Sequence, residues 1–211
     1  MDQKIRQGIM SVIENMKKID YIKPGDVPNI ELYMDQVTTF MDKHLETTRR
    51  YSEDKLLTKT MINNYTKNNL LPSPNKKKYS KDHMYLLIFI YYLKNILSIS
   101  DIQKILNPIT ESFFVEEGSL SLEDIYKEIF EIENEQAFLV TKDVVRKYQA
   151  SEECFAHIKD PKEKQLLQNF ALISMLSFDV YMKKQLIEAL IDDQSQNAGE
   201  KKVIKAEKRS H

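Results

Sequence analysis

The sequence predicts an all-α fold, and three observations carry that prediction. Breakers are scarce, with 4 Gly and 6 Pro in 211 residues, whereas a sheet-rich chain needs glycine at its turns. Leu, Ile, Lys and Glu, which suit helices, are abundant. Apolar residues also recur three and four apart in several stretches, the period of an amphipathic helix.

Taken in order, Asp2 to Lys18 carries Ile5, Ile9, Met10, Ile13 and Met16 on one face, and Lys23-Pro24-Gly25-Asp26 closes that helix with turn chemistry. Glu31 to Thr47 resumes with Met34, Val37, Phe40, Met41 and Leu45. The polar run Thr47 to Asp54 is a connection, and Leu56 to Leu70 a short helix. Leu71 to Tyr79 holds two prolines and three lysines and cannot be helical throughout; two short strands there, a small wing, are the expected exception to the all-α reading. Ser80 caps a helix over Lys81 to Ile96, and Ser98 one over Ile99 to Leu106, which Asn107-Pro108 should end. Ser119 to Phe130 is helical by its spacing, and Val140 to Phe155 is less regular. Asp160-Pro161-Lys162-Glu163 is a strong helix start. The helix it opens runs to about Ile191, and its apolar stretch Leu166 to Met182 reads as a central core helix. Asp192 to His211 is polar and reads as a disordered tail. The resulting organisation is an N-terminal helix and turn (1–30), a head (31–106), a helical C-terminal region (107–191) and a tail (192–211).

Charge is distributed unevenly. Lys43 to Lys81 has ten Lys and Arg against three acids, while Glu111 to Val140 has nine acids against one Lys. A basic module is therefore followed by an acidic one, although the net charge is only −1. The longest apolar run, Tyr85 to Leu93, is too short to span a bilayer and reads as core. The N-terminus lacks the apolar stretch of a signal peptide, and Cys154 is the one cysteine, which excludes an internal disulfide. A cytoplasmic protein with no membrane contact is the expectation.

No enzymatic chemistry is legible. His44, His83, His157 and His211 have no metal-ligand spacing. Cys154 and His157 lack an orienting third group, and neither a phosphate-binding glycine loop nor a nucleophile-elbow motif occurs. Neither catalytic residues nor a cofactor are expected.

The segment Leu56 to Leu106 carries the functional signal. Leu57, Met61 and Ile62 can face a core, which leaves Thr58, Lys59, Thr60, Asn63, Asn64 and Lys67 outward. Thr and Asn offer hydrogen bonds to base edges, and Lys offers charge to phosphates. Asn69 suits a left-handed helix end. Lys76-Lys77-Lys78-Tyr79 would then form a basic wing. Arg49 and Arg50 either touch phosphate or solvate a linker, and Tyr79 either reaches the DNA backbone or packs at the wing base.

This order resembles the head of the MerR family of winged helix-turn-helix regulators. Tyr65, Asn69, Leu70-Leu71-Pro72, Lys77 and Tyr79, Ser80, and Asp101-Ile102 stand where that pattern has its recognition helix, turn, wing and following helices. Asn75 replaces a frequent Gly, Asn63 and Asn64 replace Arg and Tyr, and the first turn is longer. The run LLTKTMINNYTK with its KKKYS wing is similar to uncharacterised bacterial proteins of the YkrK-like kind, a domain of unknown function. The resemblance implies sequence-specific binding of double-stranded DNA for transcriptional control, through Arg49, Arg50, Thr58, Lys59, Thr60, Asn63, Asn64, Lys67, Lys76, Lys77, Lys78 and Tyr79. It also implies a homodimer through the C-terminal helices, with Lys162 to Ile191 as the dimer element. A small-molecule effector of unknown identity could be held by such residues as Phe170, Met175, Phe178, Tyr181 and Met182, which otherwise read as core or dimer interface. The alternative is a helical protein-interaction module that keeps the winged-helix shape without binding DNA.

Overall fold

The computed structural model describes residues 22–114 and 120–207; the helix expected over Asp2–Lys18 lies outside them. The elements are β1 (Leu32–Tyr33), α1 (Met34–His44), α2 (Lys59–Lys67), β2 (Lys78–Tyr79), α3 (Lys81–Leu93), α4 (Ile99–Phe113), α5 (Leu122–Glu153) and α6 (Pro161–Glu207). Single 3-10 turns cover Pro24–Asp26 and Glu46–Thr48. The chain is thus mainly α-helical, with one two-stranded ladder among the described residues. No helix of the described residues is long and apolar enough to cross a membrane.

The chain divides into two compact units. Among the described residues one holds 22–114, 120–128 and 186–207, and the other holds 129–185. The division falls at Glu128/Ile129, beyond the Leu106/Asn107 boundary expected from the sequence.

The first unit is built around α3. Met84 to Ile88 and Ile90 are all fully buried, so the apolar run Tyr85–Leu93 is core, as read. Ser80 caps this helix: its hydroxyl accepts from the His83 N–H, and the Ser80 N–H donates to His83 Nδ1 at 3.0 Å. Val37, Met41 and Leu45 of the α1 segment, Ile62 and Tyr65 of α2, and Ile102 and Leu106 of α4 are buried as well. Two side chains tie the loop before α2 to this core. Lys94 Nζ donates to the Leu56 carbonyl at 2.7 Å, and Thr48 is hydrogen-bonded to the Tyr91 hydroxyl. Burial pushes the Lys94 ammonium below the usual lysine range. Tyr126, at the start of α5, stacks on Tyr85 with ring centroids 5.0 Å apart and donates to the Ile22 carbonyl.

Several boundaries differ from the sequence reading, each for a physical reason. Leu32–Tyr33 pairs antiparallel with Lys78–Tyr79, so α1 begins at Met34 rather than Glu31. The wing ladder therefore draws its second strand from far upstream. Pro72 and Pro74 have no N–H to give a neighbouring strand, and within the wing only the isolated bridge Asn75↔Lys78 forms. Helix α4 continues through Pro108 to Phe113. The continuation brings Phe114 edge-on to the His83 ring, 4.8 Å between centroids, an aromatic contact that helps offset the lost backbone hydrogen bond. The two segments expected at Ser119–Phe130 and Val140–Phe155 belong to one helix, α5; Ser121 and Asp124 cap it reciprocally, the Asp124 N–H donating to Ser121 Oγ at 3.2 Å and the Ser121 N–H to Asp124 Oδ2 at 3.0 Å. Helix α6 passes Ile191 and reaches Glu207, so 192–207 are helical where a disordered tail was expected. Within the first unit Ile191 is buried and Asp192 pairs with Lys104 at 3.2 Å.

The second unit holds most of α5 and the first half of α6. Asp160 caps α6 as its sequence predicts, its carboxylate accepting from the N–H groups of Lys162 and Glu163 at 2.7 and 3.0 Å. Gln168 donates to the carbonyls of Glu152 and Cys154 at 2.6 and 3.2 Å, and Lys147 pairs with Asp179 at 2.5 Å. Thr141, Tyr148, Gln168 and Leu172 are buried. The stretch Leu166–Met182 is not a central core helix, however. Leu166, Phe170, Ile173, Phe178, Val180, Tyr181 and Met182 are all more than half exposed. Among the described residues of the unit, α6 packs on α5 and buries one side against it.

Candidate nucleic-acid interface

No acidic residue lies between Asp54 and Asp82, while seven lysines do. The structure gathers much of this basic segment onto two neighbouring features, the outer side of α2 and the turn before β2.

Helix α2 is sharply two-sided. Ile62 and Tyr65 are buried, and Met61 and Thr66 are half-buried. Lys59, Thr60, Asn63, Asn64 and Lys67 are exposed and share one arc of about 140° at 100° per residue. Thr58 takes a different role from the one expected of it: it is the N-cap, its hydroxyl accepting from the Met61 N–H at 3.1 Å. The helix closes at Asn69, whose φ of 56° is the left-handed conformation expected for it. The Leu70 N–H returns to the Tyr65 carbonyl at 2.9 Å, and Leu70 and Leu71 turn into the core.

The wing turn runs Asn75-Lys76-Lys77-Lys78, closed by the Lys78 N–H on the Asn75 carbonyl at 2.8 Å. Lys76 and Lys77 both have positive φ, 47° and 66°. Paired positive angles define a type I′ turn, for which Asn-Gly is the usual sequence. Two lysines here cost on the order of 1 kcal/mol each. Both are exposed, so no packing requires them.

Not every expected cation is free for a ligand. Lys59 pairs with Asp35, and Lys78 lies 3.6 Å from Glu31 and over the Tyr33 ring. Arg49 pairs with Asp42 at 3.0 Å. Lys67, Lys76 and Lys77 have no ion pair among the described residues. Arg50 is exposed, with its guanidinium over the Tyr51 ring. Tyr79 is 3% exposed, its ring edge-on to His83 at 5.5 Å, and burial pushes its phenol above the usual tyrosine range. Of its two readings, packing at the wing base is the one the structure fits, and the phosphate contact is withdrawn. Glu31 and Asp35 had no sequence signal as neutralising partners, because strand pairing and tertiary packing bring them to Lys78 and Lys59.

A shallow cleft of about 370 Å³ lies beside the α2 N-terminus, lined by Asp42, Arg49, Asp54, Lys55, Thr58 and Lys59 among others. A second, of about 230 Å³, lies between Leu70–Ser73 and Asn107–Glu111. The residues expected for an effector pocket are elsewhere. Phe170, Phe178, Tyr181 and Met182 are exposed and line neither cleft.

A basic, two-sided helix followed by a strained basic turn defines an all-α protein with an exposed cationic, amide-bearing face. Residues 22–129 match the family described as Domain of unknown function (DUF1836), and the chain belongs to that family. The match covers just over half of the chain and nearly coincides with the continuous part of the first unit. No curated protein and no solved structure matches the chain.

Proposed function

We propose that this chain is a transcriptional regulator that binds double-stranded DNA in a sequence-specific manner through a MerR-like winged helix-turn-helix head. The observation that carries the reading is the outer arc of α2, made only of Thr, Asn and Lys beside the unpaired lysines of the wing turn. Thr60, Asn63 and Asn64 approach base edges in the major groove; Asn can grip adenine N6 and N7 with both amide groups. Lys67, Lys76 and Lys77 neutralise phosphates and fix the register. Lys59 and Lys78, already paired, contribute less, since an incoming phosphate must displace Asp35 or Glu31. The order of parts, from Thr58 through Leu70-Leu71-Pro72 to Ser80, supports assignment to the MerR-like kind.

The test is binding of the full chain to fragments of its own upstream region and of its genome, followed by fluorescence anisotropy against a scrambled competitor. Each phosphate contact contributes a slope of about −0.9 in log affinity against log salt. Three free lysines per head give about −3, and the variant carrying Lys76→Glu and Lys77→Glu should lose about two units of that slope with all sequences weakened alike. Asn63→Ala or Asn64→Ala should instead narrow the gap between specific and scrambled DNA by about 1–3 kcal/mol. Retention of full DNA affinity by the double Glu variant would remove the wing from the reading.

A further inference from the structure

The outer arc of α2 carries Lys59, Thr60, Asn63, Asn64 and Lys67, and the chemistry of these side chains selects among bases. In the major groove each residue type favours particular edges. Asn matches adenine, its amide N–H donating to N7 while its carbonyl accepts from the N6 amino group. Thr suits an A·T pair twice over, because its methyl packs on the thymine C5-methyl and its hydroxyl serves either base. Guanine is gripped through O6 and N7 by Arg or Lys, and cytosine donates from N4 to Asp or Glu. The arc has no Arg, Asp or Glu, and its two lysines stand at the two ends of the helix. Lys59 is paired with Asp35 and must leave that carboxylate to reach a guanine. Lys67 is the last residue of α2, whereas a recognition helix meets base edges with its N-terminal residues.

The three groups between those lysines are unengaged. Among the described residues, the side chains of Thr60, Asn63 and Asn64 make no hydrogen bond, so the donor and acceptor of each amide are open to a base. Thr60 and Asn64 lie about 6 Å apart along the helix axis, roughly two base-pair steps. We propose that the DNA sites this head takes have an A·T core of about three base pairs, in which Asn63 and Asn64 read adenines and Thr60 reads a thymine. The proposal rests on the DNA-binding reading above and adds to it the class of sequence bound. Recognition runs through major-groove edges, so it does not depend on the narrow minor groove that A·T tracts adopt.

The experiment is selection of sites by the full-length chain from a pool of randomised duplexes, then anisotropy on the most enriched one. Enriched sites should share an A·T core. Replacing core adenines with 7-deazaadenine, which lacks the N7 acceptor, should weaken binding by about fivefold or more. Asn63→Ala and Asn64→Ala should each make the affinity indifferent to one of those replacements, and both should keep the wild-type salt slope, because the phosphate contacts remain. Inosine·cytosine pairs present the major-groove pattern of G·C and the minor-groove pattern of A·T, so placing them in the core should weaken binding as much as G·C pairs do. An enriched G·C core, an A·T core that tolerates inosine·cytosine, or indifference of the wild type to 7-deazaadenine would overturn the A·T assignment and leave the DNA-binding reading standing. No enriched sequence at all would overturn both.

Discussion

Lys76 and Lys77 sit where the backbone favours Asn and Gly, and stability and the proposed DNA binding make opposite demands there. Replacing them with that pair should raise stability by about 1 kcal/mol or more, because the positive-φ cost is relieved. Thermal unfolding reads this directly, and an unchanged or lower midpoint would show that the turn carries no strain. The same variant should bind DNA more weakly, since two free cations are gone. His83 makes a second residue-scale prediction. Burial against Tyr79 and Phe114 holds its imidazole below the ordinary histidine value, only partly opposed by nearby backbone carbonyls and by the charges of Asp82 and Glu31. The unfolded chain then binds a proton that the fold resists, so stability should fall as pH drops from about 6.5 toward the lowered value. His83→Gln keeps an acceptor for the Ser80 N–H and should flatten that part of the profile above pH about 5, where the carboxylates have not yet titrated. A stability profile with the same slope in both proteins would contradict it. At this scale the sequence showed Asn69, Ser80 and Asp160 clearly, because each is a local backbone solution with a recognisable residue. It could not show that Tyr79 is buried, or that Lys59 and Lys78 are paired, because those depend on Leu32–Tyr33 returning beside the wing.

Helix α2 is short and holds few core residues, so its caps and its two buried side chains govern it. Thr58→Ala should cost about 1 kcal/mol through the lost cap, and Ile62→Ala about 3 kcal/mol through the emptied core site. Denaturant unfolding separates the two. If Thr58→Ala were neutral to stability yet weakened DNA binding, Thr58 would belong to the interface rather than to the helix. Helix α4 should gain about 1 kcal/mol or more from Pro108→Ala, which restores a backbone donor and removes a clash with the preceding turn. Helix existence was largely legible from apolar spacing, and Val37, Met41, Ile62, Ile102 and Leu106 are buried as that spacing requires. Helix ends were less so. Pro108 signals a stop that the helix passes, with the aromatic contact of Phe114 offsetting part of the cost, and the irregular spacing of Val140–Phe155 conceals a helix continuous with the one before it. In α6 the same apolar richness that reads as core belongs to a surface, because a sequence shows that a side chain is apolar without showing what covers it.

At the scale of the whole molecule, the charge asymmetry along the sequence survives folding only in part. Some of the acidic module turns back on the basic one: Glu123 accepts from Lys81 at 2.7 Å, and the lysine holds its carboxyl below the usual carboxylate range. On α2 and the wing turn, the lysines left without an ion pair among the described residues are Lys67, Lys76 and Lys77, beside the amides of Asn63 and Asn64. That economy suits a protein with a net charge of −1, whose affinity for DNA would need base contacts as well as phosphates. Sequence-specific recognition through α2 is the central claim, and anisotropy of the purified protein on upstream and genomic fragments, with and without scrambled competitor, tests it most directly. The account predicts at least one fragment whose binding survives the competitor, weakens steeply with salt and loses its sequence preference in Asn63→Ala. Binding that the scrambled competitor abolishes on every fragment, or no binding at all, would contradict it.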